Sequence, residues 1–215
     1  MVRTLTFVAL ILISSLACSL DSLTAGISDN NDPAVDTTNW VAFVGRNVQM
    51  AAPPSDWMLI PFNLSEALEE QANLQETYPT VANVYRDLVL RYTSKDDTGL
   101  VILKRDGSAR VVITRESLAG TDSNTLITAL KQTQRAEGTN PYDEETISLQ
   151  GQDTLRWKVA RSPIGSQIVN REWYHAFING EDLYYIIFIA QEQDFIDYQP
   201  IFEEMVRTFQ ILNQE

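Results

Sequence analysis

The chain has 215 residues, of which 16 are lysine or arginine and 29 aspartate or glutamate, for a formal net charge of −13. Such an exterior repels nucleic acid and anionic lipid head groups, so neither is expected as a direct partner. A single cysteine and a single histidine exclude an internal disulfide and any His/Cys metal cluster, and no metal or cofactor is expected.

At the amino terminus, Leu5 to Ile13 is apolar apart from Thr6, preceded by Arg3 and followed by Ser14, Ser15, Leu16 and Ala17. A charged start, a short apolar core and a small-residue exit form the layout of a signal peptide. The run falls well short of the roughly 20 apolar residues that span a bilayer. Cys18, directly after Ala17, resembles the cysteine of the bacterial lipobox, whose sulfur receives a diacylglycerol before the chain is cut on its amino side. That pattern prefers Leu two residues before the small residue; Ser15 stands there, with Leu16 one step later. The resemblance implies removal of residues 1–17, lipidation of Cys18 and a lipid-anchored location on the extracytoplasmic face of the cell membrane. An ordinary secretory cut near Ala17 and an uncleaved helical anchor are the alternatives. Two or three acyl chains hold a protein on a bilayer stably, where one binds only marginally.

Residues 18–39 carry four aspartates, no basic residue and many Ser, Thr and Asn. Too little apolar surface is available there to offset the entropy of ordering, so the segment reads as a flexible acidic tether. Its Asp29-Asn30-Asn31-Asp32 crowding is not an EF-type calcium loop, because Pro33 takes a ligand position and no Gly follows.

From Trp40 the pattern is periodic, and residues 40–215 suit one domain, large enough to bury roughly 70 per cent of its unfolded surface. WVAFVG, RNVQMAA and WMLIPF read as short strands, the last entered through the turn Pro53-Pro54-Ser55-Asp56. A helix follows, capped by Asn63 or Ser65, with Leu64, Leu68, Ala72 and Leu74 near one face. Val81, Val84, Leu88, Val89 and Tyr92 mark a second helix at three- and four-residue spacing. GLVILKRDGSARVVITRE reads as a hairpin turning at Asp106-Gly107. SNTLITALKQTQRAEG is a helix with Leu126, Ile127 and Leu130 inward and Gly138 as its stop. Two more hairpins turn near Gln150-Gly151 and at Asn179-Gly180, and LYYIIFIA, apolar on both faces, belongs at the centre of a sheet. YQPIFEEMVRTFQIL closes the chain as a helix with Pro200 in its first turn and Ile201, Phe202, Met205, Val206 and Phe209 in one stripe. Hairpins with helices before, between and after them indicate α+β: a mainly antiparallel sheet covered on both faces.

Pro53-Pro54-Ser55-Asp56-Trp57, the hairpin Trp173-Tyr174-His175-Ala176-Phe177 to Leu183-Tyr184-Tyr185-Ile186-Ile187-Phe188, and the ending Phe202 to Phe209 together resemble the PsbP-like family. The resemblance covers most of residues 40–210 in element order and implies an α/β/α sandwich. Members of that family mostly bind a protein or a small cofactor, and there is no catalytic motif to carry over.

The chain has no G-x-S-x-G, phosphate-binding Gly loop or dinucleotide fingerprint. Asp96-Asp97, Asp143-Glu144-Glu145 and Glu203-Glu204 are adjacent carboxylates whose side chains point apart, which suits solvated turns and helix faces. His175 falls mid-strand, on the face of Trp173 and Phe177. The aromatics are the candidate ligand or partner surface: Trp157, Trp173, His175 and Tyr185, with Arg156 or Arg171 for polar contact; the same residue types also fill sheet cores. The expected function is therefore a non-catalytic lipoprotein module that binds a small ligand or a protein. The alternative is an envelope hydrolase using carboxylates or a Ser/His175 pair.

Overall fold

The computed structural model describes residues 35–212 except Ser55, Ser94 and 163–167. Its main sheet has seven antiparallel strands in the order β3-β4-β5-β9-β8-β7-β6. These are β3 (Trp57–Leu59), β4 (Thr98–Lys104), β5 (Ala109–Ser117), β6 (Tyr142–Leu149), β7 (Gln152–Arg161), β8 (Asn170–Asn179) and β9 (Asp182–Gln191). β9, the doubly apolar LYYIIFIA strand, lies fourth of seven, so both of its faces are covered and a continuous apolar run is what that place requires.

Local sequence explains the hairpins. Gln150 and Gly151 both take positive φ, as a type I′ turn demands, and join β6 to β7. Between β8 and β9 the register pairs Asn179 with Asp182, so the turn is Gly180-Glu181, one residue later than Asn179-Gly180. Only Gly180 there has positive φ.

One face of the sheet carries α1 (Leu64–Thr77), α2 (Pro79–Leu88) with a π-helical turn at Val89–Thr93, and α3 (Ser123–Ala136). The other carries α4 (Phe195–Arg207) and a small sheet of β1 (Val41–Val44), β2 (Val48–Ala52) and β10 (Gln210–Ile211). The architecture is thus α+β, in three layers with a mainly antiparallel central sheet. Asn63 is the cap of α1, its Oδ1 accepting from Ser65 N at 3.0 Å.

Four features differ from the sequence reading. β1 and β2 do not join the main sheet. The final helix begins at Phe195, leaving Pro200 in its interior rather than its first turn. It also ends at Arg207, where Thr208 Oγ1 accepts from Ala51 N at 2.8 Å and donates to Met205 O at 2.7 Å; the chain then pairs with β2 as β10. Finally, α1 buries only Ala67 and Leu74, while Leu64, Leu68 and Ala72 are exposed. α1 packs chiefly on α2 rather than along the sheet, so its buried edge is narrow.

The small sheet is tied to β4 by Arg46 N donating to Gly99 O at 2.7 Å. Gly45 permits this approach, since a Cβ there would stand 2.0 Å from Gly99 O, a backbone atom. Gly45→Ala is expected to destabilise the fold by about 1–3 kcal/mol through overpacking, read as a melting temperature lower by roughly 2–4 °C per kcal/mol for a domain of this size. An unchanged melting temperature would contradict this account.

Candidate functional site

The side chains singled out in the sequence lie on opposite faces of the sheet and are buried. Trp157 on β7 and Tyr185 on β9 face α3; Trp173 and His175 on β8 face α4. Trp157 stacks on Tyr174 at 5.0 Å, meets Tyr185 edge-on at 6.5 Å, and donates from Nε1 to Gln134 Oε1 at 3.2 Å. Trp173 is 1% exposed, within 4.8 Å of the His175 ring and 6.1 Å of Phe195. These four therefore form two halves of the core and not a shared exposed surface. A strand's alternation sends Trp173 and Tyr174 to opposite faces, and each face is roofed.

Arg156 and Arg171 are likewise committed. Arg156 lies 4.9 Å over the Trp173 ring and pairs through Nε with Glu145 at 2.6 Å. Arg171 pairs with Glu192 and lies 5.3 Å over Phe195. Both cover the edge of the α4-side core with carboxylate partners of their own.

His175 is completely enclosed, and neither ring nitrogen has a hydrogen-bond partner of normal geometry. Burial, reinforced by the positive charge of Arg156, depresses its pKa to about 3, and the nearby backbone of Ile186 and Trp173 offsets this only in part. With no hydroxyl or carboxylate bonded to it, His175 cannot serve a Ser/His site. No group of three or more metal-ligating side chains is gathered among the described residues.

The more accessible chemistry lies in a gap of the helical layer, where sequence periodicity pointed to no site. α1, α2 and the π-helical turn cover β3 to β5, and α3 covers β7, β8 and the Leu183–Tyr185 end of β9, building two separate apolar clusters. Ile187 on β9 touches both and is only half-buried, although it sits in the middle of the central strand. One step along, on the same face, Ile189 is flanked by Arg110 on β5 and Glu172 on β8. The Glu172 carboxylate is fully engaged, accepting from Tyr174 Oη at 2.7 Å and pairing with Arg161 Nε at 3.1 Å, while Arg161 also holds Glu137 at 2.6 Å.

Arg110 is different. Glu172 and Tyr92 act on it only at longer range, and among the described residues it makes no ion pair or side-chain hydrogen bond. Of the described arginines without a carboxylate partner among the described residues, Arg91, Arg105 and Arg135 are exposed and Arg110 alone is half-buried. Burial lowers its pKa, partly offset by Glu172 and Tyr92. Burial raises that of Tyr92, with the charges of Arg91 and Arg110 opposing. A partly desolvated guanidinium with no partner is costly to keep, and its planar fork is matched by an incoming anion. By contrast, a recess of about 60 Å³ near Arg46 and Arg115 has its cations in use: Arg46 donates to Thr93 O and Lys95 O, and Arg115 pairs with Asp182. The signal for the gap was present in SARVVI, a charge at an inward-facing strand position, and in Tyr92 at the end of an apolar stripe.

Cys18 and the signal segment lie outside the described residues; among those described, no helix is long and apolar enough to cross a membrane. No protein-family profile matches the chain, and no curated protein matches it. Among solved structures it is similar to cyanobacterial PsbP (CyanoP) from Synechocystis, at 8% identity and a TM-score of 0.49, over 87% of this chain and 98% of that one. It is also similar to LpqN, involved in cell envelope biogenesis of Mycobacterium tuberculosis, at 9% identity and a TM-score of 0.46, over 86% of this chain and 88% of that one. The Ran-binding protein Mog1p of Saccharomyces cerevisiae is a third, at 10% identity and a TM-score of 0.46, over 81% of this chain and 97% of that one.

Proposed function

We propose that this protein is a lipid-anchored, extracytoplasmic binding module without catalytic activity, and that it engages its ligand or partner through the gap above β9. The observation that carries the reading is Arg110, a half-buried cation left unpartnered while neighbouring Glu172 is satisfied twice over. The non-catalytic part is supported by His175, sealed from solvent with no group to activate. The anchor rests on Cys18 following a short apolar run and small residues.

Fractionating cells that express the full chain or Cys18→Ala tests the anchor. The parent is expected in the membrane fraction and the variant mainly in the soluble one, since the lipid supplies the attachment. An unchanged membrane fraction would mean that something else holds the protein. Crosslinking in native membranes tests the binding reading, which fails if nothing is captured and the protein instead turns over generic ester or peptide substrates.

A further inference from the structure

We infer that the gap above β9 at Ile187 is a binding site for a monocarboxylate carried on an apolar body, with Arg110 gripping the carboxylate and the half-buried Ile187 offering the open apolar floor next to buried Ile189. This deepens the binding reading and rests on it. The charge count points to a monoanion. Glu172 is already held by Tyr174 and Arg161, and Arg91, the other cation acting on Arg110, is exposed to solvent, so one half-buried cation, Arg110, remains to be matched. A dianionic phosphate would add a second negative charge facing Glu172 and, on the α2 side, Asp87, both of which already act on Arg110. The planar guanidinium favours a carboxylate, which it grips through two parallel N–H···O bonds.

The remaining features fit the same ligand. Tyr92 comes from the π-helical turn, a distortion that recurs at functional sites. It is within electrostatic reach of Arg110 and, among the described residues, no acceptor takes its hydroxyl, so it can donate to the same carboxylate. Beside this polar end, Ile187 is half-buried where its strand neighbours Tyr185 and Ile189 are buried, so an apolar chain laid along β9 would cover the part of the floor that is open.

The test uses the full-length protein with decanoate as the free-acid probe, and a short leucine-ended peptide with a free or amidated carboxyl terminus as the second source of the same group. Binding is followed by calorimetry and by the methyl resonances of Ile187 and Ile189. Decanoate is expected to shift both methyls and to bind at least about tenfold more tightly than decanamide, a difference of about 1.4 kcal/mol. Arg110→Gln should lose about tenfold or more, Tyr92→Phe about threefold, and Arg110→Lys should recover only part of the affinity, because an ammonium keeps the charge and cannot make the two parallel bonds. If the peptide with a free carboxylate competes and its amide does not, the source is a chain terminus; if only decanoate binds, it is a small acid. Equal affinity for acid and amide, or undiminished binding by a folded Arg110→Gln, overturns the carboxylate assignment. Should neither probe bind while crosslinking still captures a partner in the Arg110→Gln variant, the ligand class is wrong and the broader binding reading survives. Should crosslinking also be empty, both fall.

Discussion

Trp173→Ala is expected to destabilise the domain by about 3–5 kcal/mol, the range for truncating a fully buried tryptophan. The ring is 1% exposed and touches His175, Phe188 and Phe195, so its loss opens a cavity that three packed rings cannot collapse into without leaving their own contacts. Arg156 and Lys158, whose charges lie 4.9 and 5.6 Å from the ring centre, lose their apolar support as well. Urea denaturation should show the midpoint falling with little change in slope, while Trp40→Ala, at a half-buried site, costs less. A loss below about 1 kcal/mol would mean that Trp173 is not the core residue described above. Decanoate affinity, measured where Trp173→Ala is still folded, should be nearly unchanged, because the ring faces α4 and the Arg110 gap opens on the other side of the sheet.

The second large effect is acid sensitivity centred on His175. Its pKa of about 3 in the folded protein lies below the 6.5 of an unperturbed histidine, first because burial disfavours the imidazolium and second because Arg156 repels it. Between these values the unfolded chain binds a proton that the folded one does not. The contribution to stability is therefore complete above about pH 6.5 and is lost as the pH falls toward 3, at up to about 1.4 kcal/mol per pH unit. His175→Leu should flatten that limb of the stability curve and leave stability at pH 7 unchanged or higher, since it removes two buried nitrogens without partners. Acid sensitivity from the carboxylates persists in both proteins, so the difference between the two curves isolates His175. An imidazole titrating near pH 6.5 by NMR in the folded state would refute the enclosed environment.

Much of the fold was legible because its signals are local. Asp106-Gly107 and Gln150-Gly151 turn the chain by their own backbone preferences, and the stripe Phe202, Met205, Val206 and Phe209 declares which side of α4 is buried. Asn63 caps α1 through a bond spanning two residues. What misled was spacing without context. Leu64 and Leu68 share a helical face, yet nothing among the described residues covers it, because a helix's neighbours are set by topology and not by its own period.

The candidate site shows the same division. Aromatic residue types at Trp157, Trp173 and Tyr185 are compatible with a recognition surface or with a core, and no local property separates the two. Only the roofing of both sheet faces by α3 and α4 decides for the core. Arg110 reads as one more charged strand residue until tertiary packing places it across Ile189 from Glu172, 62 positions later, and Tyr174 and Arg161 take up that carboxylate first.

By itself, then, the sequence determined the acidic exterior, the lack of a disulfide or His/Cys cluster, and an antiparallel sheet with helices on both faces, because composition, turn chemistry and hydrophobic period act over a few residues. The tertiary structure decided that β1 and β2 leave the main sheet, that the histidine is sealed, and that the half-buried Arg110 has no carboxylate partner among the described residues. Each of these depends on contacts between residues far apart in the chain, where burial and the competition for partners are settled only once all the elements have packed.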